Sequence, residues 1–270
     1  MLLMRFPGGK KKAFTLGYDD GLLYDRRMVQ ILNKHRIKCT FFPILTNYKT
    51  EGEDGCITPD EAKALYDGHE IGSHTIAHGY MGYTHACESM RDIVEDKTKG
   101  ELLFERIITG FGYPNGCYNE ETKEILKNAG YQYARNSQSS HNYKLPKDWM
   151  EWQATCTHND PELMEFAKNF VESKKTWGSV DVFYVRGHSY EFDRDNNWEI
   201  LENLCEYMKD REDIWYATNG EIRRQVKIFE NLEISMDGKR IYNPSADSVW
   251  VETENFGKIM EIRGGETVIL

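Results

Sequence analysis

The sequence predicts an α/β protein, a closed β/α barrel followed by a small antiparallel β module. Short runs rich in β-branched and aromatic residues alternate with amphipathic stretches through most of the chain. That alternation implies a parallel sheet with crossover helices. After about residue 224 the alternation stops, and short strands follow one another between turn signals. Size agrees: 270 residues, 40% hydrophobic and 29% charged, suit one large domain with a full core and exclude a disordered chain.

Residues 13–18 read as the first strand, and residues 22–35 as a helix with Leu23, Met28, Ile31 and Leu32 near helical spacing. Residues 39–44 form the second strand. Thr58-Pro59-Asp60-Glu61 then opens a helix, with Thr58 as cap, Pro59 at the first helical position and Glu61 three residues after the cap. Strands follow near 69–73, 107–113, 131–135 and 181–187, and helices near 86–104, 119–129, 161–173 and 195–209. The tail reads as strands at 226–229, 232–235, 240–242, 249–251 and 267–269, punctuated by Asp237-Gly238, Asn243-Pro244 and Gly264-Gly265. The expected division is a barrel over 1–224 and a β-rich module over 225–270.

Charge and cysteine usage narrow the partners. With 34 Lys+Arg against 44 Asp+Glu the net charge is −10, which argues against nucleic acid, since phosphate binding needs a basic face. No run approaches the ~18–20 apolar residues of a membrane span. Met1-Leu2-Leu3-Met4 precedes Lys10-Lys11-Lys12, the reverse of a secretory signal. Six cysteines without a CxxC pair suit a reducing compartment and offer no cysteine zinc site. The expectation is a cytoplasmic protein. A secreted enzyme whose signal is missing from the chain is the alternative.

Three clusters fall at the C-terminal ends of predicted strands, the face where β/α barrels place chemistry. Tyr18-Asp19-Asp20-Gly21 follows the first strand, where Asp and Gly are also ordinary turn residues. In Ser73-His74-Thr75-Ile76-Ala77-His78, a turn of helix capped by Ser73 would put His74 and His78 on one face to grip a divalent metal. Two unrelated histidines are the plain alternative, and Thr75 stands where an HExxH protease has its Glu. Phe183 to Glu191 is a late strand carrying Arg186-Gly187-His188, whose histidine is either structural or, beside a metal, a general acid or base.

Together these clusters resemble the polysaccharide deacetylase family (NodB homology, carbohydrate esterase family 4). Thr15-Leu16-Gly17-Tyr18-Asp19-Asp20-Gly21 resembles its TFDDG motif, His74-Thr75-Ile76-Ala77-His78 its H-[ST]-x-x-H motif, and Phe111-Gly112-Tyr113-Pro114-Asn115-Gly116 a variant of its FRPPYG motif. Arg186-Gly187-His188 resembles the late Leu-x-His motif. The motifs stand in family order over roughly residues 13–190, and the tail lies outside the resemblance.

The resemblance implies a distorted (β/α)7 barrel and a hydrolase of carbon–nitrogen bonds that removes acetyl groups from a carbohydrate, N-acetyl before O-acetyl. Asp20, His74 and His78 would hold one divalent ion, zinc first, with cobalt, manganese or nickel as alternatives. A water on that ion would attack the acetyl carbonyl, with Asp19 as base and His188 as acid, while the Asn115 N–H would help bind the oxyanion. Tyr113, Trp152, Tyr190 and Trp198 are candidate sugar contacts, with Tyr113 and Tyr190 foremost. His69, His35, His85, His141 and His158 read as structural or surface residues, and Glu191, Asp193 and Asp195 as an acidic, solvated loop.

Two departures matter. Gly112 stands where many family members have an Arg that holds the catalytic Asp, and the usual Asp-x-x-Asp-Trp is missing from the next strand region, which ends at Arg135. Arg135 is therefore expected to reach Asp19, since only Arg offers a fork matched to a carboxylate. A surface salt bridge is its other reading. Three alternatives to the function stand beside it: a hydrolase of a smaller C–N bond, an inactive carbohydrate-binding relative, and a non-haem iron oxygenase with the same two-His-one-carboxylate set. Oligomeric state is not legible.

Overall fold

The computed structural model describes residues 1–49, 55–174, 178, 180–253 and 257–270. A short strand β1 (Leu2–Arg5) precedes the central strand β2 (Lys12–Asp20), of which eight residues are buried and only Asp20 is partly open. Burial on both faces is what a parallel strand between an interior and a helical layer requires. Then come α1 (Asp25–Lys34), β3 (Thr40–Pro43), α2 (Pro59–Leu65), β4 (Glu70–Ile71), α3 (Ala86–Phe104) and β5 (Gly110–Gly112). As the sequence predicts, Thr58 caps α2 by accepting the Glu61 N–H at 3.2 Å. After α4 (Glu120–Asn128) and β6 (Tyr133–Ser139) come two short strands, β7 (Trp152–Ala154) and β8 (Cys156–Thr157). They lead to α5 (Leu163–Glu172), β9 (Asp181–His188), α6 (Ser189–Arg194), α7 (Glu199–Met208), β10 (Ile214–Tyr216) and α8 (Asn219–Glu230). The tail holds β11 (Glu233–Ile234), β12 (Arg240–Tyr242), β13 (Val249–Thr253), β14 (Lys258–Ile262) and β15 (Thr267–Ile269).

Parallel pairing runs β4-β3-β2-β9-β8 in one sheet and β5-β6-β7 in another. The sheets meet on both sides. Beyond β4, Ser73 donates its N–H to the Gly110 carbonyl and accepts from the Gly112 N–H, each at 2.9 Å. On the other side β7 and β8 flank Thr155, whose N–H donates to the Tyr184 carbonyl of β9 at 2.7 Å. Seven strand positions thus close a ring, distorted where single bridges replace full ladders. β10 lies against the first residues of β2, on the edge that β3 takes further along.

The N-terminus of α8 plugs one end of this ring. Asn219 donates its N–H to Thr40 Oγ1 at 2.9 Å, and Gly220 donates its N–H to Glu70 Oε2 at 2.8 Å, so a half-buried carboxylate meets the positive end of a helix. The opposite end, where the strands finish, stays open for chemistry.

One expected strand is a helix. Residues 226–229 lie within α8, which Thr218 and Glu221 open with a reciprocal capping box. Ile222, Val226 and Phe229 recur at helical spacing, and that period overrides the β-branched look of the short run. The expected 224/225 division therefore crosses a continuous helix. In addition β1 pairs antiparallel with β13, so the first residues and the tail share the sheet β1-β13-β14.

Candidate active site

The strand register assembles the site. β2 and β9 pair so that Asp19 stands opposite His188, and β5 and β6 pair so that Gly112 stands opposite Arg135. The bridge at Ser73 sets His74 beside β5, and His74 Nδ1 donates to the Gly112 carbonyl at 2.8 Å. That bond fixes the tautomer and leaves Nε2 with its lone pair facing Asp20. Burial pushes the His74 imidazole down to about 4, so the ring is neutral at ordinary pH.

His74 and His78 converge, but not on a helix. The expected helical turn is replaced by a loop in which Thr75 and His78 both take left-handed backbone (φ 64° and 50°). Two carboxylates of α3 hold this loop. Asp96 Oδ2 accepts the N–H groups of His74 and Thr75, each at 3.1 Å, and Asp92 Oδ1 accepts that of Ile76 at 2.7 Å. Those bonds replace the internal bonds a helix would supply.

Asp20 Oδ1 lies 3.7 Å from His74 Nε2 and 3.8 Å from His78 Nε2, and the three ligand atoms lie within 4.8 Å of one another. Asp20 Oδ1 is buried and has no hydrogen-bond partner among the described residues. Ligands ~2.1 Å from one tetrahedral ion stand about 3.4 Å apart, so two neutral imidazoles and a carboxylate oxygen fit a divalent cation with small adjustment.

Asp19 is 3% exposed and its Oδ2 forms an ion pair with Arg135, itself buried. Arg135 reaches Asp19 as the sequence predicts, but from across the ring, since β6 pairs with β5 and β7 and not with β2; its guanidinium lies over the Phe42 ring at 5.3 Å. Burial pushes Asp19 up, but Arg135, His74 and His188 outweigh it and hold the carboxyl below its ordinary value. Its Oδ1 has no hydrogen-bond partner among the described residues. His188 Nε2 is 3.7 Å from Asp19 Oδ2. Burial works against a charged His188, yet Glu191, Asp19 and Asp20 together raise it above the ordinary histidine value. Environments that push a carboxyl down and an imidazole up separate a base from an acid.

Asn115 sits in an exposed turn after β5 with left-handed backbone (φ 54°), and the Tyr190 ring stands 5.2 Å from that of His188. Tyr113 is not a sugar contact in this fold. It is 1% exposed, stacks on Tyr118 at 4.4 Å and donates its hydroxyl to the Met150 carbonyl at 3.0 Å, because its strand turns it into the helical layer. Trp152 and Trp198 are likewise buried, as is His35, which lies near Glu202 and Glu206 instead of in solvent. His69 accepts the Cys39 N–H at 3.2 Å, a structural role. Sequence reasoning undervalued Glu191 and His158, which lie 3.3 Å apart beside His188. A His-x-x-Glu spacing at a helix start was the available signal.

Residues 7–134 match the family model described as polysaccharide deacetylase; Arg135 and His188 lie beyond the match. A peptidoglycan-N-acetylglucosamine deacetylase of Bacillus cereus is 26% identical over 219 residues, 79% of this chain and 89% of that protein. A solved Mycobacterium smegmatis protein described as a polysaccharide deacetylase shares the fold with a TM-score of 0.62 at 17% identity, over 84% of this chain and 94% of its own. The Puue allantoinase does so with a TM-score of 0.58 at 14% identity, over 81% and 91%. The strand ring, the Asp/His/His cluster at its open end and the match over residues 7–134 point the same way: the chain is similar to the polysaccharide deacetylases, hydrolases that cleave the C–N bond of acetyl groups on carbohydrates.

Proposed function

We propose that the protein removes N-acetyl groups from an amino-sugar polymer, with Asp19 as base and His188 as acid. The observation that carries this reading is the split environment of Asp19, whose Oδ2 is paired with Arg135 while Oδ1 is unpartnered beside the Asp20, His74 and His78 cluster. A divalent cation held by Asp20 Oδ1, His74 Nε2 and His78 Nε2, zinc first, would supply Lewis acidity toward the acetyl oxygen and lower the pKa of water.

The chain's own residues do the rest. Asp19 Oδ1 takes a proton as water adds to the carbonyl carbon, and Arg135 holds Oδ2 so that Oδ1 keeps its aim. The Asn115 N–H donates to the developing oxyanion, a contribution of about 3–4 kcal/mol for a well-placed donor. An amine leaves poorly without a proton, so His188 Nε2 delivers one to the nitrogen as the C–N bond breaks. The Tyr190 ring flanks His188 and offers the departing sugar an apolar face.

The relative from Bacillus cereus makes peptidoglycan N-acetylglucosamine the first substrate to test. Acetate release is measured from N-acetylated and O-acetylated oligosaccharides, using stripped protein and protein reloaded with Zn²⁺ or Co²⁺. Release from N-acetyl substrates that depends on metal supports the reading. Full activity of metal-free protein, or release from O-acetyl substrates alone, overturns it.

A further inference from the structure

We propose that Glu191 is a positioning residue for His188, holding the ring by its Nδ1–H so that Nε2 faces the scissile bond, and that buried His158 braces Glu191 from behind. The role rests on the deacetylase reading above and assigns to it two residues that the family motifs leave out.

The geometry is a chain of three side chains. Glu191 Oε1 lies 3.5 Å from His188 Nδ1, while Oε2 accepts the His188 N–H at 3.3 Å and lies 3.3 Å from His158 Nε2. His188 is the N-cap of α6 and Glu191 its third residue, so the carboxylate reaches back to the His188 N–H and is held against the residue it serves. Further along the same segment Asp193 is exposed and Asp195 pairs with Arg194, as a solvated acidic loop would have it. Glu191 departs from that pattern.

His158 is built in tightly. It is 1% exposed, with its ring parallel to Tyr18 at 5.6 Å and stacked on Phe192 at 4.0 Å. Neither ring nitrogen has a hydrogen-bond partner among the described residues. Burial pushes the ring down to about 4, so it is neutral and has one N–H to give, and Glu191 is the acceptor facing it. Gly187 permits this arrangement: a Cβ there would come within 2.0 Å of His158 Nδ1. Glu191 thereby faces three donors, the Nδ1–H and backbone N–H of His188 and the Nε2–H of His158.

A neutral imidazole has two tautomers, and only one carries its proton on Nε2 when Nδ1 is free. A carboxylate on Nδ1 keeps that nitrogen protonated, so in the charged ring the proton that leaves is the one on Nε2. During turnover this proton passes to the amine nitrogen as the C–N bond breaks. The ring is left neutral with Nδ1–H still on Glu191.

Metal-loaded Glu191→Gln, Glu191→Asp and His158→Phe are compared with the parent on an N-acetyl oligosaccharide and on p-nitrophenyl acetate, whose leaving group needs no proton. For Glu191→Gln the expected result is a kcat about 10–100-fold lower on the amide, with KM and metal content unchanged and little loss on the aryl ester. His158→Phe keeps the stack and should give a smaller loss of the same kind, and Glu191→Asp should recover part of the rate. In a His188→Ala background Glu191→Gln should cost less than about twofold more, because both act through one ring. Equal losses on both substrates, additive losses in the double variant, or full activity of both Glu191→Gln and His158→Phe overturn the role. A parent that releases acetate from no acetylated sugar overturns the deacetylase reading and the role with it. An active parent beside fully active variants overturns the role alone.

Discussion

Arg135→Lys isolates the contribution of orientation from that of charge. Arg135 and Asp19 are both almost fully buried, and the Asp19 carboxylate owes its depressed pKa, against the opposing effect of burial, first to this guanidinium. The same guanidinium donates Nη1–H to the Asn136 carbonyl at 3.3 Å and lies over Phe42. A lysine ammonium keeps the positive charge but is a single point on a flexible stem, so it cannot serve Asp19 and Asn136 together. Losing a hydrogen bond to a charged group costs ~1.5–3 kcal/mol. If that loss falls on the transition state, kcat drops by roughly 10- to 150-fold. The fold should survive because the carboxylate keeps a counter-charge, whereas Arg135→Met strands it and should cost about 3–5 kcal/mol of stability. The assay is acetate release with kcat and KM separated, alongside metal content and a thermal midpoint. A variant with full metal and kcat within about twofold of the parent would refute the reasoning, since orientation at that distance should not be free. So would a loss of activity that tracks a loss of metal, because Arg135 would then serve the metal site rather than Asp19. Gly112 supplies a cross-check: a Cβ there would lie 3.1 Å from both Arg135 Nη2 and His74 Nδ1, so an arginine at 112 and one at 135 compete for the same space. Gly112→Arg should therefore restore turnover to Arg135→Ala while harming the parent.

His78→Ala should lose bound metal by elemental analysis, because it removes one of three ligand atoms that stand within 4.8 Å of one another. His188→Ala should keep its metal and lose far more rate on amides than on activated aryl esters; equal losses count against an acid role. Asp25 is fully buried between Ser189 and Tyr66, and burial raises its carboxyl to about 7. Its folded pKa exceeds its unfolded value, so its contribution is fully present below about pH 4 and is lost as pH rises through about 7. At ~1.4 kcal/mol per unit the difference is on the order of 4 kcal/mol, and Asp25→Asn should gain stability over the parent across that window in urea titrations. A constant difference between the two proteins would refute the assignment.

Much of the site was legible because its residues sit at strand ends, where register does the assembling. Asp19 and His188 are 169 positions apart but opposite one another in β2 and β9. Arg135 could be placed because the strand after β5 pairs with it and sets Arg135 opposite Gly112, although that strand, β6, begins at Tyr133 and runs on to Ser139 instead of ending at Arg135. The His74–His78 turn was legible in its chemistry and not in its conformation. Spacing of four suggests a helix, while the loop is shaped by Asp92 and Asp96 some twenty residues further on, and bonds of that range leave no local signature. Tyr113 was misplaced for a related reason. A residue next to a motif inherits none of its exposure, and strand alternation sent this ring to the wall. The helical reading of 226–229 was available in Thr218-Asn219-Gly220-Glu221, a capping signal that outweighs a short β-branched run.

The adjacent carboxylates Asp19 and Asp20 pose a geometric problem that the backbone resolves. In a regular strand successive side chains point to opposite faces, so neighbours cannot both serve one cleft. Asp20 ends β2 with left-handed backbone (φ 75°), and Gly21 follows with φ 67°. That reversal breaks the alternation, so Asp19 keeps the direction set by β2, toward Arg135 and His188, while Asp20 swings toward His74 and His78. A side chain at 21 would meet Pro43 Cβ at 2.6 Å, so glycine is required by packing as well as by φ. Left-handed backbone at a non-glycine residue costs on the order of 1–3 kcal/mol, and here it recurs at Asp20, Thr75 and His78. Thr75 is the costliest of the three, being β-branched. Left-handed backbone also occurs at residues away from the site, such as Arg36 and Glu105, but where it brings ligand atoms to one point it is sustained only if the surroundings enforce it. Asp96 and Asp92 do so for the histidine loop, and the fit of Gly21 against Pro43 does so for the strand end. The Asp-Asp-Gly and His-Thr-x-x-His sequences are therefore conformational as well as chemical requirements: each supplies donor atoms together with the backbone reversals that bring those atoms to one site.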